Sequence, residues 1–323
     1  MPVNANWGDV LSTTLERRQP LIADNVLNHD PMFAWLNARG RVQTAGGGAT
    51  LLEPISYPGN DQFAYYSGFE TLSVSKTEVI DSAEFNWKQA AVPVAISGFD
   101  MRRNMSDSQI FDLLGQQITV AERTMSNNLA DGAFSDGTGS GGKEIGGLQL
   151  LVADDPTTGT VGGISRATNT WWRSFSYDAT TDGGAAASAT NIQGYMNTVA
   201  LNVVFNRDFT DGIFADSNYF NFYWQSLQAI QRITSEQDAA AGFESLAYYG
   251  PGGRAPVIYD SSAPSNHMYF LNSDFLRLRP HPDANMSPTP RKEAVNQDAV
   301  VVHILFMGNL TSNGLRYQGL LKD

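Results

Sequence analysis

The stretch AEFNWKQAAVPVAI, residues 83–96, and soon after it SDSQIFDLLGQQITVAERTMSNNL, residues 106–129, carry two different hydrophobic periods. In the first, Ala83, Phe85 and Trp87 alternate with Glu84, Asn86 and Lys88, and Val92, Val94 and Ile96 continue with a period of two, the repeat of a strand with one buried face. Pro93 has no amide hydrogen to give to a ladder, which puts this strand at a sheet edge. In the second, Ile110, Leu114, Ile118, Ala121, Met125 and Leu129 recur at three- and four-residue steps, and Ser106 with Gln109 fits a capping box. These predict one helix roughly 35 Å long with a buried stripe, in which Gly115 is a tolerated defect costing about 1 kcal/mol. A long strand, a long helix and later strands without regular βαβ alternation predict an α+β fold.

Working outward, Leu51 to Tyr57 and the turn residues Pro58-Gly59-Asn60 supply a partner strand, so residues 51–96 read as a long hairpin. Between its strands Asp61 to Lys76 holds Phe63, Tyr65, Tyr66 and Phe69 around Gly68. That is too aromatic for a plain solvent loop and too short to own a core. The aromatics either cover the parent domain or face a partner. Upstream, loosely spaced Leu11, Leu15, Ile22, Val26 and Leu27, a basic spot at Arg17-Arg18, and Pro20 and Pro31 read as an arm. Downstream, glycine-rich 136–147 ends the helix. Ile192, Tyr195, Met196, Val199 and Val203 form a second helical stripe, and a third helix is expected from about Tyr219 to Ile233. Strands are expected at Val257 to Tyr259, Met268 to Leu271 and Val300 to Met307, the last an apolar run suited to a buried central position.

At 323 residues the chain can bury a sizeable core, and its net charge of −12 argues against sequence-independent capture of nucleic acid. The absence of cysteine excludes disulfides, thiolate metal sites and cysteine nucleophiles. With neither an export signal nor 18 consecutive apolar residues in view, a soluble intracellular product without a membrane span is expected. Gly137 to Gly142 with Lys143 matches phosphate-loop spacing, but Glu144 stands where a hydroxyl must meet Mg²⁺ and the run follows a helix; a flexible connector is expected instead. His29, His267, His281 and His303 are not paired at metal-binding spacing, and only His303, within an apolar strand, merits testing as a buried base. Asp208, Asp211 and Asp216 lack the spacing of a calcium loop and read as solvated turn acids. No catalytic residue, cofactor or metal is expected. Exposed aromatics such as Trp171-Trp172 leave a carbohydrate-binding or carbohydrate-active β-rich protein as the alternative.

The run Gly146-Gly147-Leu148-Gln149-Leu150-Leu151-Val152, then Thr160-Val161-Gly162-Gly163-Ile164-Ser165-Arg166-Ala167-Thr168-Asn169, then Trp171-Trp172-Arg173, resembles the major capsid proteins of tailed bacteriophages. The element order is similar to the Hong Kong 97-type capsid fold. This resemblance implies an N-terminal arm at 1–40, an extended loop and its return strand at 41–100, a spine helix in the peripheral domain at 101–144, a mostly axial domain at 145–250, and a return to the peripheral domain at 251–323. It implies a structural coat protein that assembles with itself, as hexamers and pentamers, into an icosahedral shell around double-stranded DNA. The DNA is enclosed without sequence-specific binding, which suits an acidic lining. Arg17, Arg18, Phe63, Tyr65, Tyr66, Phe69 and Lys76 would then be inter-subunit contacts, and Gly162, Gly163 and Arg166 a structural turn. The arm leaves no room for a fused N-terminal scaffolding extension, so a separate scaffolding protein or a processed form is expected, along with a portal and room for a decoration protein. The expected location is the virion, after assembly in the host bacterial cytoplasm. Some members crosslink Lys to Asn; Lys76 and Lys88 lie in or beside the loop, but nothing marks an acid catalyst, and no crosslink is expected.

Overall fold

The alternation that runs from Ala83 to Ile96 changes phase on the way, and the chain changes partners at that point. The computed structural model describes residues 29–56, 65–70, 80–99, 107–227, 246–290, 292–293 and 298–323. In chain order its elements begin with helix α1 (Pro31–Ala38), strands β1 (Leu51–Ser56), β2 (Ile80–Phe85) and β3 (Lys88–Ser97), and the long helix α2 (Asp107–Ala133). Next come β4 (Thr160–Val161), β5 (Ile164–Ser165), β6 (Phe175–Asp178), α3 (Ile192–Val203), β7 (Gly212–Ala215) and α4 (Ser217–Leu227). The chain then runs through β8 (Leu246–Gly250), β9 (Gly253–Tyr259), β10 (His267–Leu271), β11 (Leu276–Pro288), β12 (Lys292–Glu293), β13 (Ala299–Ser312) and β14 (Gly319–Lys322).

β1 and β2 form the expected antiparallel hairpin, from Leu51↔Phe85 to Ser56↔Ile80. The return arm, expected as one strand, is two. Ala83 and Phe85 are buried at odd positions, Val94 and Ile96 at even ones, and Asn86-Trp87 absorb the slip. A one-residue shift turns every side chain to the other face, so β3 leaves β1 and pairs along its whole length with β13, Lys88↔Gly308 to Ser97↔Ala299. β3 lies at the sheet edge, with Pro93 opposite His303. β13 is central, as expected, with β11 and β12 on its other side. Its run from Ala299 to Met307, however, alternates buried and half-buried residues and is not covered on both faces. The far edge of this first sheet is covered by the chain leaving α1, where Gln43 N donates to Leu278 O at 2.9 Å and Ala45 N to Pro280 O at 3.1 Å.

α2 packs on β3 with Ile118, Ala121, Met125, Leu129 and Ala133 buried. The expected cap at Ser106 lies outside the described residues. The second sheet has the order β6-β14-β10-β7-β9-β8, with β6–β14 and β7–β9 parallel and the other pairs antiparallel. Its central strands β7, β10 and β14 are buried on both faces. Phe214, Ile258, Tyr269, Leu271 and Leu320 enter the core shared with α1, α2 and the first sheet. The residues between them, Ile213, Val257, Met268, Phe270 and Leu321, face the stripes of α3 and α4. The expected third helix is described from Ser217 to Leu227, and residues 228–233 lie outside the described residues.

Sheet membership does not follow the expected division at residue 250. β9, β10 and β14, all beyond it, are strands of the same sheet as β6, β7 and β8, so the chain visits the first sheet twice and the second twice. A strand of four or five apolar residues carries no mark of its partner, which is why the crossing was hidden in the sequence.

Candidate assembly surfaces

The β1–β2 hairpin is tied to the first sheet by one buried acid. Glu53 stands on β1 in phase with Leu51 and Ile55, and only 1% of it is exposed. It accepts from Arg277 Nη1 at 2.9 Å, from Arg279 Nε and Nη2 at 2.7 and 3.2 Å, and from Thr311 Oγ1 at 2.9 Å. Burial alone would raise its pKa. The hydrogen bond and charge of Arg279, the Thr311 hydroxyl and the Arg277 charge outweigh that and hold the carboxyl below its ordinary range. Sequence reasoning missed this anchor, although a Glu in phase with two core aliphatic residues was a signal for it.

A second contact braces the hairpin from the side. β4 and β5 are joined by Gly162-Gly163, both with positive φ (60° and 77°), which is the geometry of a type I′ turn. Gly162 O accepts from the Glu84 amide of β2 at 2.9 Å, and a Cβ on Gly162 would stand 2.7 Å from the Ala83 Cβ. Arg166 is buried behind this turn; its amide donates to Gly159 O at 3.0 Å, its guanidinium donates to Leu150 O, and burial lowers its pKa. Trp172, also buried, donates Nε1–H to Val161 O at 3.0 Å, while Trp171 packs half-buried against the core. These two tryptophans are therefore not the exposed pair that suggested a carbohydrate platform.

Of the aromatics between β1 and β2, Tyr65, Tyr66 and Phe69 are described, with relative exposures of 92%, 65% and 108%. These three rings are exposed rather than packed on the described residues of the subunit. Arg17, Arg18, Phe63 and Lys76 lie outside the described residues.

The chemical candidates resolve differently. The glycine run 137–142 follows α2 and forms no regular helix, with Gly137, Ser140, Gly141 and Gly142 all at positive φ, and Lys143 and Glu144 border a cleft of about 640 Å³ between α2 and β3. His303 is half-buried. Among the described residues, His267 has a carboxylate partner, its Nε2 lying 3.2 Å from Asp154 Oδ1. Asp211 and Asp216 are not solvated turn acids. Asp211 accepts from Arg39 Nη1 at 2.6 Å and from the Ser273 amide at 2.9 Å, and burial raises its pKa in spite of them. Asp216 is buried and caps α4, accepting from the Tyr219 amide at 3.0 Å and the Asn266 amide at 2.8 Å. Among the described residues no three His, Asp or Glu side chains are grouped to hold a metal, and no helix is long and apolar enough to cross a membrane.

No family model matches the chain, and no curated protein does. Solved structures match over most of its length. The capsid asymmetric unit of cyanophage A-1(L) is 16% identical with a TM-score of 0.60, covering 88% of this chain and 90% of that one. The holo-SrpI encapsulin complex from Synechococcus elongatus PCC 7942 is 10% identical with a TM-score of 0.57, covering 89% and 86%. The capsid of an empty GTA particle is 14% identical with a TM-score of 0.53, covering 88% of each chain. Identities this low speak for the course of the backbone alone: a braced two-stranded loop, a long helix laid on the edge strand of one sheet, and a second sheet between that core and two helices make this the Hong Kong 97-type capsid fold.

Proposed function

We propose that the chain is a major capsid protein, a structural subunit that assembles with itself into an icosahedral shell around phage double-stranded DNA and carries out no catalysis. The observation that carries this reading is the exposure of Tyr65, Tyr66 and Phe69 on a hairpin whose base is fixed by Glu53 and the Gly162 turn. A subunit alone leaves this apolar area in water, whereas a symmetric shell reuses the same patch at every repeat and covers it. In this reading the first sheet with α2 is the peripheral domain and the second sheet with α3 and α4 the axial one. Phe63, Lys76, Arg17 and Arg18 join the exposed aromatics at contacts within hexamers and pentamers. A separate scaffolding protein and a portal take part in assembly, a decoration protein has the finished shell to bind, and the protein resides in the virion after assembly in the host cytoplasm. The net charge of −12 favours a lining along which DNA slides without adhering. Negative-stain microscopy and sedimentation of the purified protein test the reading: closed shells or capsomer rings are expected, and monodisperse 35.2 kDa monomers at all concentrations would overturn it.

A further inference from the structure

Two carboxyl groups meet in the interior. Asp30 caps α1, its Oδ2 accepting from the Phe33 amide at 3.1 Å. Asp260 follows β9; its Oδ1 accepts from the Ser262 amide at 2.9 Å, and its own amide donates to Ala215 O of β7 at 3.0 Å. Both side chains are at least nine-tenths buried. Each keeps one oxygen, Asp30 Oδ1 and Asp260 Oδ2, sealed from solvent without a hydrogen-bond partner among the described residues, and the two carboxyls stand close enough for each to act on the ionisation of the other. Ionised carboxylates only accept hydrogen bonds, so a bond between two of them requires a proton, and two bare charges cannot share a dry site.

The surroundings favour that proton. From α2 the nearby charged group is Asp131, whose Oδ1 accepts from Ser262 Oγ at 2.9 Å and whose negative charge acts on Asp260. On α1 itself, Arg39 is at the far end and pairs with Asp211, and His29, which precedes Asp30, is exposed. No Arg or Lys among the described residues pairs with either carboxyl. A third metal-ligating side chain is also lacking among them, which disfavours a cation as the occupant.

We propose that Asp30 and Asp260 share one proton and form a pH-operated latch, which holds α1 against the second sheet while the proton is present and frees it when the proton is lost. Burial, first, and the neighbouring negative charge raise the pKa of both carboxyls. A raised folded-state value means that the latch contributes fully below the ordinary carboxyl range and is lost as pH rises through the folded value.

The test is backbone amide exchange across α1 in the full chain, between about pH 5 and about pH 9, corrected for intrinsic exchange rates. In the wild type the opening equilibrium of α1 should rise by up to about tenfold per pH unit, the limit for one linked proton. Asp30→Asn keeps the cap and supplies a permanent N–H donor to Asp260, so its profile should be flat. Asp260→Asn moves the donor to the other partner and should be flat as well, and it decides the matter alone if Asp30→Asn does not fold. Identical pH profiles in wild type and variants would overturn the proposal. Restored protection of the wild type at high pH by Mg²⁺ or Ca²⁺ would overturn it too, by assigning the pair to a cation.

Discussion

Two residues decide whether the β1–β2 hairpin is a fixed part of the subunit. Gly162 has a positive φ and no room for a Cβ against Ala83, whereas Gly163 has a positive φ and open space around it. Gly163→Ala should therefore cost about 1 kcal/mol of backbone strain, and Gly162→Ala about 2–3 kcal/mol, since it adds a clash against β2. Denaturant unfolding of both variants checks this, and equal costs would mean that the turn does not brace the hairpin. Glu53→Gln leaves two guanidinium groups facing a neutral amide and should cost about 3 kcal/mol near neutral pH. Because the Glu53 pKa is depressed in the fold, its contribution is present above the ordinary value of 4.5 and is lost as pH falls through the folded value. The stability gap between wild type and Glu53→Gln should thus close in acid, and a gap that stayed constant with pH would show that the Glu53 charge is not what holds β1. This is the opposite sign to the Asp30–Asp260 latch, so acid loosens the hairpin and base loosens α1.

At the scale of elements, α2 is the part that follows most directly from local pattern, and it offers a paired test. Ile118 is 0% exposed and Val120, two residues on, is 63% exposed. Ile118→Asp buries an unpaired charge and should cost at least about 3 kcal/mol, shifting expression to aggregates, while Val120→Asp should change subunit stability by no more than about 0.5 kcal/mol. Soluble, stable Ile118→Asp protein would show that this face of α2 is not the packed one. The stripe was legible because helical periodicity reports burial within the element itself. The hairpin of β1 and β2 was legible for the same reason, and so was the edge position of Pro93. What the sequence hid depends on distant partners: Glu53 meets Arg277 and Arg279 across 224 and 226 residues, and Asp30 meets Asp260 from the other end of the chain. The second sheet was hidden likewise, since the short apolar strands β7, β10 and β14 fit any buried sheet and their order is set by packing on α3 and α4. In the candidate surface the aromatic cluster was visible as composition, but its exposure was not, because period and propensity carry no information about an irregular loop.

For the whole molecule the question is whether the aromatic segment between β1 and β2 belongs to folding or to assembly. β1 and β2 already pair over six positions, and Glu53 and the Gly162 turn anchor their base independently of the segment that joins them. Replacing residues 61–76 by a short Gly-containing turn should leave this hairpin formable, because a two-stranded antiparallel pair needs only a few residues to close. The side chains of Tyr65, Tyr66 and Phe69 contribute little to the subunit's own core, being between 65% and 108% exposed. The thermal unfolding of the shortened subunit should accordingly stay cooperative, with a midpoint close to that of the full-length subunit. In the proposed shell the same three rings would lie on a neighbour. Covering each is worth roughly 1.5–3 kcal/mol in transfer terms, less the ordering cost of association, and the loss recurs at every copy. Sedimentation velocity on the same preparation should find monomers or capsomers and no shells, and Tyr65→Ser, Tyr66→Ser, Phe69→Ser together should reproduce the effect without altering chain length. Normal shells from either variant would show that the rings are not an interface. Loss of the cooperative transition would show that they stabilise the subunit itself.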